Sequence, residues 1–184
     1  MINSRPGEPE RTSSYVHPEF SSVATRELAE ALNALLADYF ALFVKTKGFH
    51  WHVPGPNFLE HHALFDGHAA QLFKVLDLLG ERVRKLGGTS LLSVEDIVCR
   101  QRFSNINTGG LTALRMFAIL REDNQQLLCY LREAYGLCEE YGDVATSGLL
   151  STWIDEAETR LWHLHESCRP AADSAIATTN EINP

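Results

Sequence analysis

Five of the chain's eight histidines fall within nineteen positions, at His50, His52, His61, His62 and His68, with the carboxylates Asp66, Asp77 and Glu81 close by. Imidazole nitrogens and carboxylate oxygens together suit iron, zinc or manganese. The lack of a nearby cysteine argues against a structural zinc site. His62 stands four residues before Asp66, and Asp77 four before Glu81, a separation that places two side chains on one helix face. At about 100° per residue, His62, Asp66, Asp77 and Glu81 lie at roughly 0°, 40°, 60° and 100° around a helix. Ala70 and Phe73 share that arc, so the face is expected to be partly buried. Carboxylates there would be costly to desolvate alone, and a bound cation is one natural partner. The alternatives are a solvated histidine cluster at a helix start and an exposed Asp-x-x-x-Glu pair. His52, His61 and His68 are read as surface groups or neighbours of the ligands rather than ligands.

Distance sharpens the metal reading. His62 and Asp77 are fifteen residues apart, about 22 Å along a helix, and cannot hold one ion within one chain. An antiparallel twofold partner would bring one copy's Asp77 and Glu81 beside the other's His62 and Asp66. That predicts an intersubunit metal site at an isologous interface. A metal centre inside the bundle would call for carboxylates from other helices and a Glu-x-x-His pattern, which this sequence does not contain.

The elements that must position these residues are helical. Leu28, Leu32, Leu35, Leu36, Tyr39 and Phe43 recur at helical spacing, predicting a helix over residues 22–47 that Ser21 or Ser22 can cap. Pro54, Gly55 and Pro56 then force a turn. A second helix is expected over residues 57–86, with Asn57 as N-cap and Gly87-Gly88 as its stop. Met116, Leu120, Leu127 and Leu131 predict a third over 111–135. A fourth is expected over 144–167, with Pro170 just past its end. The fold class is therefore all-α, a four-helix bundle over residues 22–168 with flexible tails at 1–21 and 169–184. The segment between the second and third helices exceeds a tight turn and suits the crossover connection of ferritin-like bundles. Ser93, Glu95 and Asp96 can start a short helix within it.

Composition narrows the rest. A chain of 184 residues, 45% hydrophobic and 22% charged, is of the size and make-up of one globular domain, and excludes collagen-like or wholly disordered classes. The net charge of −8 makes nucleic acid a poor default partner. No apolar run is long enough to span a membrane, and no basic region followed by an apolar stretch opens the chain, so a cytoplasmic protein is expected. Cys99, Cys129, Cys138 and Cys168 form no C-x-x-C pair and read as reduced thiols.

The run Lys47-Gly48-Phe49-His50-Trp51, then Gly55-Pro56-Asn57-Phe58, His62, Asp66, Asp77 and Glu81-Arg82, resembles the signature of the Dps family, the DNA-binding proteins from starved cells or miniferritins. The match is dense over residues 40–88 and fits in helix order over 22–168. The resemblance implies a hollow dodecamer with ferroxidase sites shared between twofold-related subunits. His50, His62 and Asp66 would come from one subunit, and Asp77 and Glu81 from its partner. Lys47 and Trp51 would lie close by. Iron(II) would be oxidised by hydrogen peroxide or dioxygen and stored as iron(III) mineral.

Some positions depart from the family or stay open. Gly80 stands where the family often has Ala. Basic tails are common in its DNA-binding members. Here residues 1–21 hold Arg5 and Arg11 against Glu8, Glu10 and Glu19, and the last sixteen residues hold Arg169 against Asp173 and Glu181. A DNA-compacting role is therefore the weaker alternative. Glu139, Glu140 and Asp143 are candidates for an acidic pore, against the reading of an ordinary solvated turn. Trp51 is read as a core or interface residue, and Trp153 and Trp162 as packing residues.

Overall fold

The computed structural model describes residue 15, residues 17–104 and residues 110–168. Five helices follow in chain order: α1 (Ser22–His52), α2 (Phe58–Lys85), α3 (Val94–Arg100), α4 (Ala113–Tyr141) and α5 (Val144–Glu166). Most of the two expected tails falls outside the described residues. The four long helices form the expected bundle, with α1 along α2, α4 along α5, and the two hairpins joined through α1–α4 and α2–α5 contacts. The crossover holds the short α3, which lies on α1.

Local chemistry sets the boundaries. The Ser21 hydroxyl accepts the Ala24 N–H at 3.1 Å and starts α1. Nothing before Pro54 interrupts that helix, so it ends at His52 rather than at residue 47. Asn57 does precede α2, but its side chain makes no capping bond. Ser93 and Asp96 form a reciprocal capping box on α3. α4 runs past residue 135 to Tyr141 and stops where Gly142 takes a left-handed conformation, φ 69°.

The core is the meeting of four apolar stripes. Leu28, Leu32, Leu35 and Tyr39 of α1, Leu72, Val75, Leu79 and Val83 of α2, Met116, Leu120, Leu127 and Leu131 of α4, and Leu150, Trp153 and Leu164 of α5 are all buried. Phe43 packs against them while half-buried. Gly88 sits where a Cβ would come within 2.6 Å of the Ala29 Cβ, so only glycine lets the end of α2 approach α1 this closely.

Buried charges pin the connections. Asp38 on α1 is wholly buried and accepts the Arg102 backbone N–H (2.8 Å), Nε (3.0 Å) and Nη2 (2.6 Å). Burial pushes the Asp38 carboxyl up, and the Arg102 bonds and charge oppose that rise. Lys45 joins α1 to α4 through Asp123 at 2.6 Å and to the crossover through the Ser104 carbonyl at 3.1 Å. His68 is a core residue rather than a surface one. It is 6% exposed, and its Nε2 lies 3.4 Å from His163 Nδ1 on α5. At about 100° per residue it falls on the side of α2 with Phe65 and Leu72, away from the arc of the candidate ligands, and that side is the one packed into the core.

Two outcomes follow from these buried groups. Arg102→Ala leaves Asp38 buried with a single backbone donor and should lower stability by about 3 kcal/mol. Asp38→Asn should do less, because the Arg102 side chain is 34% exposed and can be solvated; urea denaturation of both variants checks the order. Burial, with the charges of Arg160 and His163, pushes His68 down from 6.5 to about 3. A folded value below the unfolded one stabilises above pH 6.5, and that contribution is lost as pH falls toward 3. Between pH 7 and 4, His68→Gln should therefore lose stability less steeply than wild type, by up to about 1 kcal/mol per pH unit.

Candidate metal centre

The turn between α1 and α2 builds one end of the candidate centre. Gly55, at φ 115°, lets the chain reverse, and α2 returns along the last turns of α1. His50 and His62 then face each other. Each Nδ1 lies 2.8 Å from the other residue's backbone carbonyl, and the rings stack with centroids 3.7 Å apart. A carbonyl only accepts, so both Nδ1 atoms carry the hydrogen and donate it. In the neutral rings both Nε2 atoms then present lone pairs, the form in which imidazole binds a metal. A second hydrogen bond that fixes tautomer and ring orientation is the usual support of a metal-ligating histidine.

Asp66, one turn further along α2, brings a carboxylate to this pair. Its Oδ1 lies 3.9 Å from His50 Nε2 and accepts from Lys47 Nζ at 2.5 Å. The Lys47 hydrogen bond and charge, aided by His50 and His62, hold the Asp66 carboxyl below the usual carboxylate range. His50 is buried, His62 half-buried and Asp66 exposed, so the group lies at the rim of the bundle rather than inside it.

Asp77 and Glu81 stand further along α2. Both are exposed and line a groove of about 920 Å³ with Leu36, Phe40, Phe73 and Leu76. Lys85 donates to Glu81 at 2.8 Å and holds its carboxyl below the ordinary value. The neighbouring Arg82 anchors this end of α2 to the start of α5, through Thr146 Oγ1 and Asp143 Oδ1, both at 2.6 Å. One chain thus carries two separate donor groups. Among the described residues, no three His, Cys, Asp or Glu side chains converge closely enough to hold an ion.

Several expectations need correction. The arc with Ala70 and Phe73 is exposed in the single chain, Phe73 by 59%, because the opposite side of α2 faces the core. Trp51 is 64% exposed and so is no core residue, and Trp162 is exposed too, tilted against His163. Trp153 is buried as expected. His61 is half-buried, edge-on to Phe117, and His52 is exposed, with Nδ1 2.7 Å from the Gly48 carbonyl. Asp143 is neither a solvated turn residue nor a free pore acid. It is 2% exposed, caps α5 through the Thr146 N–H at 3.0 Å, and pairs with Arg82. The four cysteines are free thiols.

Sequence reasoning missed two features. The crossed His50–His62 bonds depend on backbone carbonyls, which spacing does not reveal. Arg160 had a signal: it continues the stripe Leu150, Trp153, Ala157, Leu164, and it is 1% exposed.

A ferritin-like helical bundle with imidazole and carboxylate donors on its second helix is the class this fold and site define. The family described as ferritin-like domain matches residues 29–169. A DNA protection during starvation protein from Brevibacillus brevis is 30% identical over 141 residues, covering 74% of this chain and 91% of its own. An uncharacterized low temperature-induced protein from Nostoc is 35% identical over 134 residues, 72% of this chain and 75% of its own. The Dps protein of Vibrio cholerae O1, a solved structure described as a member of a broad superfamily of ferritin-like diiron-carboxylate proteins, is 29% identical. It superposes with a TM-score of 0.77 over 82% of this chain and 94% of its own. The chain belongs to the Dps family of ferritin-like proteins. Among the described residues, no helix is long and apolar enough to cross a membrane.

Lys47→Met should let the Asp66 carboxyl rise toward its ordinary value, because the group that holds it down is gone. A carbon-13 NMR pH titration of Asp66 reads this directly, and an unchanged midpoint would remove Lys47 as the cause.

Proposed function

We propose that this protein is a miniferritin that binds and oxidises iron(II) and stores the iron(III) product inside a hollow dodecamer in the cytoplasm. The observation that carries the reading is the crossed pair of hydrogen bonds that leaves His50 Nε2 and His62 Nε2 as lone-pair donors beside Asp66. These three residues bind iron(II) from one subunit, and Asp77 and Glu81 of a twofold partner complete the site. Imidazoles hold iron(II), and carboxylates stabilise iron(III). Two iron(II) ions give one electron each to hydrogen peroxide, whose O–O bond breaks to the level of water, so no hydroxyl radical is released. Dioxygen is the alternative oxidant.

Three features support a shared site. The half-sites are too far apart to meet within one chain. Asp77 and Glu81 lie in an apolar groove, flanked by the exposed Phe73 and Leu78, a surface suited to a second subunit. Lys47 occupies Asp66 in the isolated chain, and an arriving ion displaces it, while Trp51 lies exposed at the same turn. The relatives' name refers to protection of DNA. With both tails poor in basic residues, we read protection here as consumption of iron and oxidant rather than coating of DNA.

Mixed cages test the shared site. One variant lacks the first half-site (His62→Ala with Asp66→Ala), and the other lacks the second (Asp77→Ala with Glu81→Ala). Each alone should lose nearly all fast iron(II) oxidation in a stopped-flow assay. Co-assembled in equal amounts, they should recover about a quarter of the wild-type rate, since a mixed dimer regains one of its two sites. No recovery from mixed cages of dodecameric mass on gel filtration would overturn the shared site. Lys47→Met should tighten iron(II) binding by up to about fivefold, the worth of an exposed ion pair.

A further inference from the structure

The bundle interior holds a charged group that the proposed site does not use. Arg160 of α5 is 1% exposed. Its Nε donates to Asn124 Oδ1 on α4 and its Nη1 to Gln71 Oε1 on α2, both at 2.8 Å. Its Nη2 is buried without a hydrogen-bond partner. None of the ion pairs among the described residues includes it.

Two more buried atoms nearby lack partners, His68 Nδ1 on α2 and Glu156 Oε2 on α5, while the Tyr39 hydroxyl on α1 stands against the guanidinium itself. All three groups lie within electrostatic reach of the guanidinium, which acts on Tyr39 and His68 and is itself acted on by Glu156. The four long helices therefore converge on one cation. Imidazole nitrogens and carboxylate oxygens from facing helices are the donors from which bundles build interior metal centres, and the Tyr39 phenol adds a further oxygen. His68 Nε2 lies 3.4 Å from His163 Nδ1, and in the tautomer that donates Nε2–H to His163 the lone pair stands on Nδ1.

We propose that Arg160 is the resident cation of the bundle centre: its guanidinium takes the place of a metal among Tyr39, His68 and Glu156, and so closes the subunit interior to metal ions. Arg160 is always charged and tethered by Asn124 and Gln71, so no free ion displaces it. A divalent ion beside it would meet like charge at low dielectric. Removing the guanidinium leaves a buried carboxylate oxygen and an imidazole lone pair uncompensated, a donor set that then draws in a cation. The inference rests on the proposed function only in naming iron as the ion kept out. The intersubunit residues take no part in it.

Cobalt(II), which reports its coordination through visible d–d absorption, is the probe. The background chain carries His50→Ala, His62→Ala, Asp66→Ala, Asp77→Ala and Glu81→Ala, so the proposed intersubunit donors are absent. In that background Arg160 intact should bind no cobalt(II) that depends on Glu156. Arg160→Ala should bind about one more per chain. Adding Glu156→Gln should abolish the gain. Equal cobalt(II) binding with and without Arg160, in chains of equal helical content by circular dichroism, overturns the proposal. So does Glu156-dependent binding while Arg160 is present. If Arg160→Ala does not fold unaided, cobalt(II) should restore its helicity, and Arg160→Gln, which retains an amide for Asn124 and Gln71, should show the same gain in binding. Failure of both overturns the proposal. None of these outcomes bears on the mixed-cage experiment, so the two readings fail separately.

Discussion

The antiparallel pairing of α1 and α2 is the contact to which the other elements are fixed. The apolar stripe from Leu28 to Tyr39 buries itself against the stripe from Leu72 to Val83. Burial of that many large aliphatic side chains, each contributing about 1.5–3 kcal/mol before the entropy of ordering, makes the hairpin the main apolar contact of the fold. Its consequences are geometric. With the inner side of α2 committed to the core, Asp66, Asp77 and Glu81 stand outward, and the reversal at Gly55 sets His50 against His62. α1 also carries the anchors for the other parts, Asp38 for the crossover and Lys45 for α4.

The buried polar groups divide into two kinds. Asp38 with Arg102, Asp123 with Lys45, and Asp143 with Arg82 are paired carboxylates that lock one element's register against another. Replacing such pairs by apolar residues can be neutral, whereas breaking one strands a charge, so they specify the arrangement more than they add to stability. Arg160 is of the second kind. It has neutral oxygens for hydrogen-bond partners and stands near orphaned polar atoms rather than within a closed pair. That contrast makes the bundle centre more than packing.

The donor groups at the surface of α2 follow the same economy. Lys47 on Asp66 and Lys85 on Glu81 keep the carboxylates ionised in the free chain, and exposed pairs of this sort are weak enough to be exchanged for an ion. The histidines need no rearrangement, because their Nδ1 atoms are already tied to backbone carbonyls. A pre-oriented pair of imidazoles with replaceable lysine partners on the carboxylates is suited to binding a metal ion.

Much of this was legible in the amino-acid sequence. Apolar residues at three- and four-residue steps set four long helices, because a helix that buries one face needs that period. Ser93 followed by Glu95 and Asp96 marked where a short helix of the crossover could start, and the structure shows the capping box there. The spacing of His62, Asp66, Asp77 and Glu81 placed them on one arc, and the rise per residue already separated them into two groups. Three matters were decided by the tertiary structure. His68 and Arg160 are buried because the side of a helix that faces the core is fixed by its neighbours, not by the helix alone. Asp143 became a buried cap because Arg82, sixty-one residues away in sequence, arrives beside it. The tautomers of His50 and His62 were set by backbone carbonyls brought across the turn. Local periodicity is a property of one segment and can be read from it. Burial and protonation depend on which segments meet, and only folding brings them together.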